Sequence, residues 1–406
     1  MKRKLFALIS IALLLCMLIG AVGCNSADTN EPATDAPTTD APIVKPTEAP
    51  TDKPTEAPTD KPTDKPTEKP TDAPIELEET FYYFPEFSHL FKKHGRVLET
   101  DAGLICDASA SGLEFSGVMT GEVILELKVD RNTYYTVFID GERVDKRFLV
   151  TPDDSSITIA DFGDEQGEHS IRVLKQTEPK RSLATITGVT LTGYLEEAPA
   201  DKLFYIEFIG DSITSGTGIF GSSSTTSNTD KTYEYQDATS NYAFQTAEAL
   251  DADFSLTSCS SIGICTGWNS YIENQYYPCA SYFRDTEAKY DFPRTPDLVV
   301  INLGTNDQTK GCNTKDFKAR VKELVNLVYD SYDPSVKIVW IYDMMNYGKQ
   351  DLVLETLTEM GGEAAGLYTL KVTRNNDGGT SHPNHKAHTT VANELVTFIN
   401  ENDLLY

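Results

Sequence analysis

Four short stretches in the second half of this chain carry side chains suited to one chemistry, attack by a serine hydroxyl on an acyl carbon. Ser212 ends Gly210-Asp211-Ser212, directly after the apolar run Tyr205 to Ile209. Such a run ending in glycine reads as a buried strand that breaks into a turn. In open α/β sheets ligands gather beyond the carboxyl ends of strands, so a serine there is a candidate nucleophile. The same serine also suits a helix cap, and the tripeptide by itself supports both readings equally. Asn306 stands in Gly304-Thr305-Asn306-Asp307, after a second apolar run. Its side-chain NH2 is a neutral donor of the kind that holds a tetrahedral oxyanion, and the four residues equally make an ordinary turn. Gly263 closes Ser258-Cys259-Ser260-Ser261-Ile262-Gly263, where the missing side chain lets a backbone N–H approach a ligand.

The base would come from Ser381-His382-Pro383-Asn384-His385-Lys386-Ala387-His388, which holds the only three histidines after residue 200. Histidine titrates near neutrality, and His382, fixed beside Pro383, is the candidate. Pro383 is expected to open the last helix, which then carries His385 and His388. The even spacing of the three also suits a metal. No acidic residue completes a zinc-protease pattern, so no metal site and no cofactor are expected. His388 reads as structural.

Strands and helices must alternate to place these stretches. From Leu203 onward they do. Phe204–Ile209, Phe254–Leu256, 297–303 and Val336–Tyr342 read as strands. Asn241–Leu250, the spacing Phe317, Val321, Leu324, Val325, Val328, and the spacing Val391, Leu395, Phe398, Ile399 read as helices. That pattern predicts an α/β region with a parallel sheet flanked by helices over residues 201–406. Residues 76–200 read instead as short strands. Val123, Leu125, Leu127 and Val129 alternate with polar residues, and Tyr134–Ile139 is closed by the turn pair Asp140-Gly141. Segments 169–174 and 185–191 are two more, so an all-β sandwich of jelly-roll type is expected. It suits glycan binding or support, with His94 and His169 structural or solvated.

Acidic residues outnumber basic ones 62 to 35, a formal charge of −27, which repels phosphate backbones and argues against nucleic acid as a partner. Residues 1–23 read as a secretory signal: basic Lys2-Arg3-Lys4, an apolar run, then small residues. Cys24 follows Ala21-Val22-Gly23, which looks like a bacterial lipobox, with Cys24 as the lipidated residue. Residues 24–75 are Pro, Thr, Asp, Glu, Lys and Ala in a repeat that builds no core. At roughly 3 Å per residue such a spacer reaches on the order of 150 Å. The expected location is therefore the outer face of the bacterial cell membrane, with membrane contact through the lipid alone. Cys106, Cys259, Cys265, Cys279 and Cys312 remain, an odd number, and no disulfide framework is legible.

Gly-Asp-Ser, a glycine in a second block, Gly-x-Asn-Asp and His-Pro, in this order and at strand ends, resemble the SGNH (GDSL-type) hydrolases. The chain is similar in particular to the acetylxylan esterases of carbohydrate esterase family 2, which join a jelly roll to an SGNH domain. Asp140-Gly141, Gly167-Glu168-His169, Lys175-Gln176-Thr177-Glu178 and Trp340 to Met345 resemble landmarks of that family. The resemblance covers about Lys93 to the C-terminus. It implies Ser212 and His382 as catalytic residues and the backbone N–H groups of Ser212 and Gly263, with Asn306, as oxyanion donors. It implies acetylated plant polysaccharide, such as xylan or glucomannan, as substrate. Most SGNH enzymes place an aspartate three residues before the histidine; here that residue is Gly379. Several family-2 esterases use a Ser-His dyad held by a backbone carbonyl. A dyad is expected, with Asp377 the lesser candidate for a third member. Asp211 and Asp307 are expected to hold loops. Tyr235, Trp268 and Tyr271 suit either sugar stacking or packing. The competing functions are a lipase- or thioesterase-like acyl hydrolase and a non-catalytic glycan-binding lipoprotein. Replacing Cys24 by Ala is expected to move the protein out of the membrane fraction; a variant as firmly membrane-bound as the parent would rule out lipidation there.

Overall fold

In the computed structural model the described residues are 76–225, 231–265, 276–308, 312–345 and 348–405. The signal, Cys24, the linker up to residue 75, Trp268 and Tyr271 lie outside them. The longest strand, Gly112–Val129 (β1), has Leu113, Phe115, Met119, Val123, Leu125, Leu127 and Val129 buried. All are odd positions, so one face is apolar throughout. Thr133–Ile139 (β2) follows it, then Gly167–Lys175 (β3) and Ala184–Leu195 (β4). β3 pairs with β1 over Gly112–Met119 and with β2 on its other side; β4 pairs with β1 as far as Val129. The β1–β4 register skips Gly121 and Glu122, a bulge that bends the long strand. Shorter strands complete an antiparallel sheet of eleven that wraps around a core including Phe84, Phe91, Phe115 and Tyr135. This is the jelly-roll region.

The α/β region comes next in the chain. Its strands are Phe204–Gly210 (β5), Ala252–Ser258 (β6), Leu298–Asn302 (β7), Lys337–Tyr342 (β8) and Leu367–Lys371 (β9). They form one parallel sheet in the order β6-β5-β7-β8-β9. Helices Tyr242–Ala249 (α1), Thr314–Ser331 (α2), Gln350–Glu359 (α3) and His385–Glu401 (α4) flank it. α3 and β9 were not legible from the sequence. α3 buries only Val353, Thr356 and Leu357 and has no side-chain N-cap, and β9 is an edge strand with a single buried side chain. Pro383 does not open the last helix. Asn384 caps it, its Oδ1 accepting from Ala387 N at 3.0 Å, so Pro383 stands one residue outside.

The register of the parallel strands aligns their carboxyl ends. Gly210 at the end of β5 lies opposite Ser258 on β6 and Asn302 on β7. The segments bearing Ser212, Gly263 and Asn306 therefore leave the sheet side by side.

The jelly roll and the α/β region share a core. Ala110, Phe138 and Leu174 pack in one cluster with Ile206, Phe208 and Tyr242. Charged side chains reinforce the join. Arg172 forms a bidentate pair with Glu248 at 2.9 and 2.7 Å, and Arg143 reaches Asp237 at 2.8 Å. Both regions lie in the compact unit Ala73–Tyr406.

One buried charge in the α/β region is held by partners from both regions. Glu207, mid-strand in β5 and fully buried, accepts from Arg96 at 2.9 Å, Thr257 Oγ1 at 3.0 Å, Tyr277 OH at 2.8 Å and Tyr332 OH at 3.0 Å. Arg96 lies over the rings of Tyr277, Tyr290 and Phe292. Removing one partner of a buried pair strands the other. Glu207→Ala is expected to lower unfolding free energy by about 3–5 kcal/mol in a urea titration; a loss under about 1 kcal/mol would show that Arg96 finds water or another partner.

Candidate active site

The turn after β5 places the serine. Asp211 O accepts from Ser215 N at 3.0 Å and Ser212 O from Thr217 N at 3.0 Å, which curls the chain into a tight turn. Ser212 is 8% exposed, so its hydroxyl is mostly covered. It has a partner: His382 Nε2 lies 2.7 Å from Ser212 Oγ. On the other side of the ring, Nδ1 lies 3.1 Å from the Thr380 carbonyl oxygen and 2.9 Å from Thr380 Oγ1. A proton on Nδ1 donates to Thr380, which leaves Nε2 free to accept from the serine. Thr380 and Ser381 take the left-handed conformation, φ +54° and +60°. That conformation is costly for side-chain-bearing residues, most of all a β-branched one. It folds the Thr380 carbonyl back onto the ring that comes two residues later.

Asp377 is not brought to His382. It is exposed, and its carboxylate accepts from Asn375 Nδ2 at 2.7 Å. Gly379 occupies the place where a triad aspartate would stand, and it is closely packed. Gly379 N donates to Gly218 O at 2.8 Å. A Cβ on Gly379 would sit 3.1 Å from Gly221 Cα, 3.2 Å from Gly218 Cα and 3.3 Å from Gly218 O, all backbone atoms. Gly218 itself has φ +75°, and a Cβ there would meet Gly379 O at 2.1 Å.

The structure brings Gly263 and Asn306 to the same edge. Asp307, fully within the turn after β7, accepts from Ile264 N at 2.9 Å and Cys265 N at 2.7 Å. The Asn306 side-chain nitrogen lies 3.0 Å from Ile262 O and 3.0 Å from Asp211 Oδ2. Gly263 is thus held from both flanks by the turn that carries Asn306. A Cys265–Cys312 disulfide, Cα–Cα 6.0 Å, ties the two segments once more, while Cys106, Cys259 and Cys279 are buried thiols. Asp211 also accepts from Ile213 N at 2.9 Å. Burial, opposed by that N–H and reinforced by Asp307, pushes its carboxyl up to about 7. Burial pulls the His382 ring below its usual value, opposed by the Thr380 carbonyl and the charge of Glu178.

The three histidines do not converge. His388 Nδ1 accepts from Tyr242 N at 3.1 Å and its ring stacks on Tyr242. Burial, with smaller contributions from His385 and His382, takes its pKa down to about 3, so it stays neutral. His385 stacks on Phe220. In the jelly roll, His94 Nε2 pairs with Glu114 at 2.7 Å and His169 Nδ1 with Asp140 at 2.9 Å.

One residue of the jelly roll reaches this site without having been singled out by chemistry: Glu178 accepts from the backbone N–H of Ser260. Nearby, Gln176 O accepts from Ala238 N at 2.9 Å and joins the jelly roll to the α/β region. Both belong to Lys175-Gln176-Thr177-Glu178, so the signal was present in the sequence and its target was not. Thr380 was invisible because its contribution is a main-chain oxygen.

A serine hydroxyl hydrogen-bonded to a histidine at the carboxyl edge of a parallel sheet is the arrangement of serine hydrolases. Residues 208–393 match the GDSL-like lipase/acylhydrolase family, residues 93–199 the carbohydrate esterase 2 N-terminal family, and residues 29–76 the PT disordered repeat. The chain thus joins a carbohydrate esterase 2 N-terminal domain to a GDSL-like lipase/acylhydrolase (SGNH) domain. It is 28% identical over 311 residues to cellulase/esterase CelE of Acetivibrio thermocellus, covering 72% of this chain and 37% of that one. It is 25% identical to an acetylxylan esterase / glucomannan deacetylase of Cellvibrio japonicus, covering 57% and 66%. The chain thus spans less than two thirds of the length of these relatives. A solved family two carbohydrate esterase from Clostridium thermocellum, in complex with cellohexaose, superposes with TM-score 0.70 at 26% identity, covering 78% of this chain and 100% of that chain.

Gly379→Asp, which restores the usual aspartate position, is expected to strain the Gly218–Gly379 contact and lower stability by about 2 kcal/mol in chemical denaturation. An unchanged midpoint would mean that the contact yields without cost.

Proposed function

We propose that this protein is an exported serine esterase that removes O-acetyl groups from plant cell-wall polysaccharide such as xylan or glucomannan. The observation that carries the reading is the 2.7 Å contact between His382 Nε2 and Ser212 Oγ, with Nδ1 on the Thr380 carbonyl. The names of the relatives support the glycan ester as substrate. Ser212 Oγ attacks the acetyl carbon while its proton passes to His382 Nε2. The carbonyl electrons move onto oxygen, which the N–H groups of Ser212 and Gly263 and the Asn306 amide receive. Asn306 already faces the Ile262 carbonyl. An oxyanion is the stronger acceptor and takes the larger share of that hydrogen as charge develops. Collapse expels the sugar alkoxide, which takes the proton from His382. Water then attacks the acetyl-serine by the same route and releases acetate. These steps use side chains, backbone N–H groups and water. Tethering through Cys24 and the 24–75 spacer would hold the esterase outside the cell, where such polymers are met.

Ser212→Ala and His382→Ala are each expected to lose several orders of magnitude in turnover of an activated acetyl ester, because nucleophile and base act as a unit. Asn306→Ala should lose about a hundredfold. Near-parental turnover in any folded variant removes that residue from the mechanism. Acetylated xylan or glucomannan should be deacetylated; a preference for long acyl chains would favour the lipase reading, and no turnover by the folded protein the binding reading. The base acts only when neutral, and its pKa is lowered. The acid limb of kcat/KM is therefore expected below pH 6.5, the ordinary histidine value. A limb above it would contradict the burial of His382.

A further inference from the structure

The site has no triad carboxylate, yet a fully buried one stands close by on the other region of the molecule. Glu178 comes just after β3 of the jelly roll and is 0% exposed. One oxygen accepts from the N–H of Ser260. Its other oxygen meets Arg181 Nε at 3.2 Å and has no aligned hydrogen-bond donor among the described residues. Ser260 Oγ lies 3.1 Å from Thr217 Oγ1, and Thr217 N donates to Ser212 O at 3.0 Å. A chain of contacts therefore runs from Glu178 through Ser260 and Thr217 to the nucleophile turn. Ser260 lies three residues before Gly263.

Resting on the Ser212–His382 reading, we infer that Glu178 is a positioning residue. It orients the Ser258–Gly263 segment through Ser260 and supplies, from the jelly roll, the negative charge that stabilises His382 when it holds the serine proton. A buried charge acts over several ångströms because little water screens it. The other charged groups around the pair each have partners of their own. Asp211 holds Ile213 N and faces Asn306, and Asp307 holds Ile264 N and Cys265 N. Asp237 pairs with Arg143, exposed Asp377 with Asn375, and Lys180 donates to Ser260 O. On α4, His388 is buried and neutral and His385 stacks on Phe220. The two charges with the largest effect on the His382 ring are Glu178, which favours its protonated form, and Arg181, which opposes it.

The test is a pair of variants with opposite signs. Glu178→Gln keeps an acceptor for Ser260 N–H and removes the charge. Its kcat on an activated acetyl ester is expected to fall about tenfold or more. The acid limb of kcat/KM should move to lower pH by about half a pH unit or more. Arg181→Gln should move the limb the other way. Glu178→Asp, which keeps the charge, should leave the limb near its parental place while kcat still falls. A merely structural role for Glu178 would lower activity in all three without moving the limb, and that result, or a limb moving the same way in Glu178→Gln and Arg181→Gln, overturns the inference. If Glu178→Gln fails to fold, Arg181→Gln decides, since an unmoved limb there shows that this ion pair does not act on the ring. His382→Ala in the same assay separates the two levels. Retained turnover removes the dyad and this inference with it; lost turnover beside an unmoved limb removes the role of Glu178 alone.

Discussion

The contact between the Gly218 and Gly379 backbones is the constraint on which the site depends. Ser212 and His382 are separated by 170 residues, and they meet because the loop before α4 lies directly on the turn after β5. That approach is possible only without side chains at the contact, where a Cβ on Gly218 would stand 2.1 Å from Gly379 O. A Cβ at position 379 would press on the Gly218 and Gly221 backbones at 3.1–3.3 Å. With glycine there, the orientation of the imidazole falls to a carbonyl, and the left-handed pair Thr380-Ser381 aims that carbonyl.

A carbonyl fixes the ring but brings no full charge, so the electrostatics of the imidazolium must come from the surroundings. Burial works against the protonated ring. The nearest aspartate to Ser212 in sequence, Asp211, is itself pushed up to about 7 by burial and is turned toward Asn306. Under the proposed reading, what the α/β region lacks is provided across its join with the jelly roll. The shared core of Phe138, Leu174 and Phe208 and the pairs Arg143–Asp237 and Arg172–Glu248 span that join. On that reading the jelly roll contributes to the site and is not only an appended module.

Much of this was legible in the sequence. The apolar runs before Gly210 and Gly304 marked two buried parallel strands, and period-2 alternation at Val123 to Val129 marked the jelly roll, because burial on one face or two leaves a pattern in the side chains themselves. α3 and β9 left no such trace, since one buries few residues and the other lies at an edge. The candidate residues Ser212, Gly263, Asn306 and His382 were named from residue type and place, and the family resemblance assigned their roles. By itself the sequence determined which side chains could act and at which strand ends they stand, because those are local properties of pattern and chemistry. Only the tertiary structure decided what holds His382, that Asp377 stays in solvent, that Asp307 clamps the Gly263 segment and that Glu178 reaches Ser260. A main-chain oxygen has no residue type to read, and contacts between segments far apart in the chain are settled by how backbones pack.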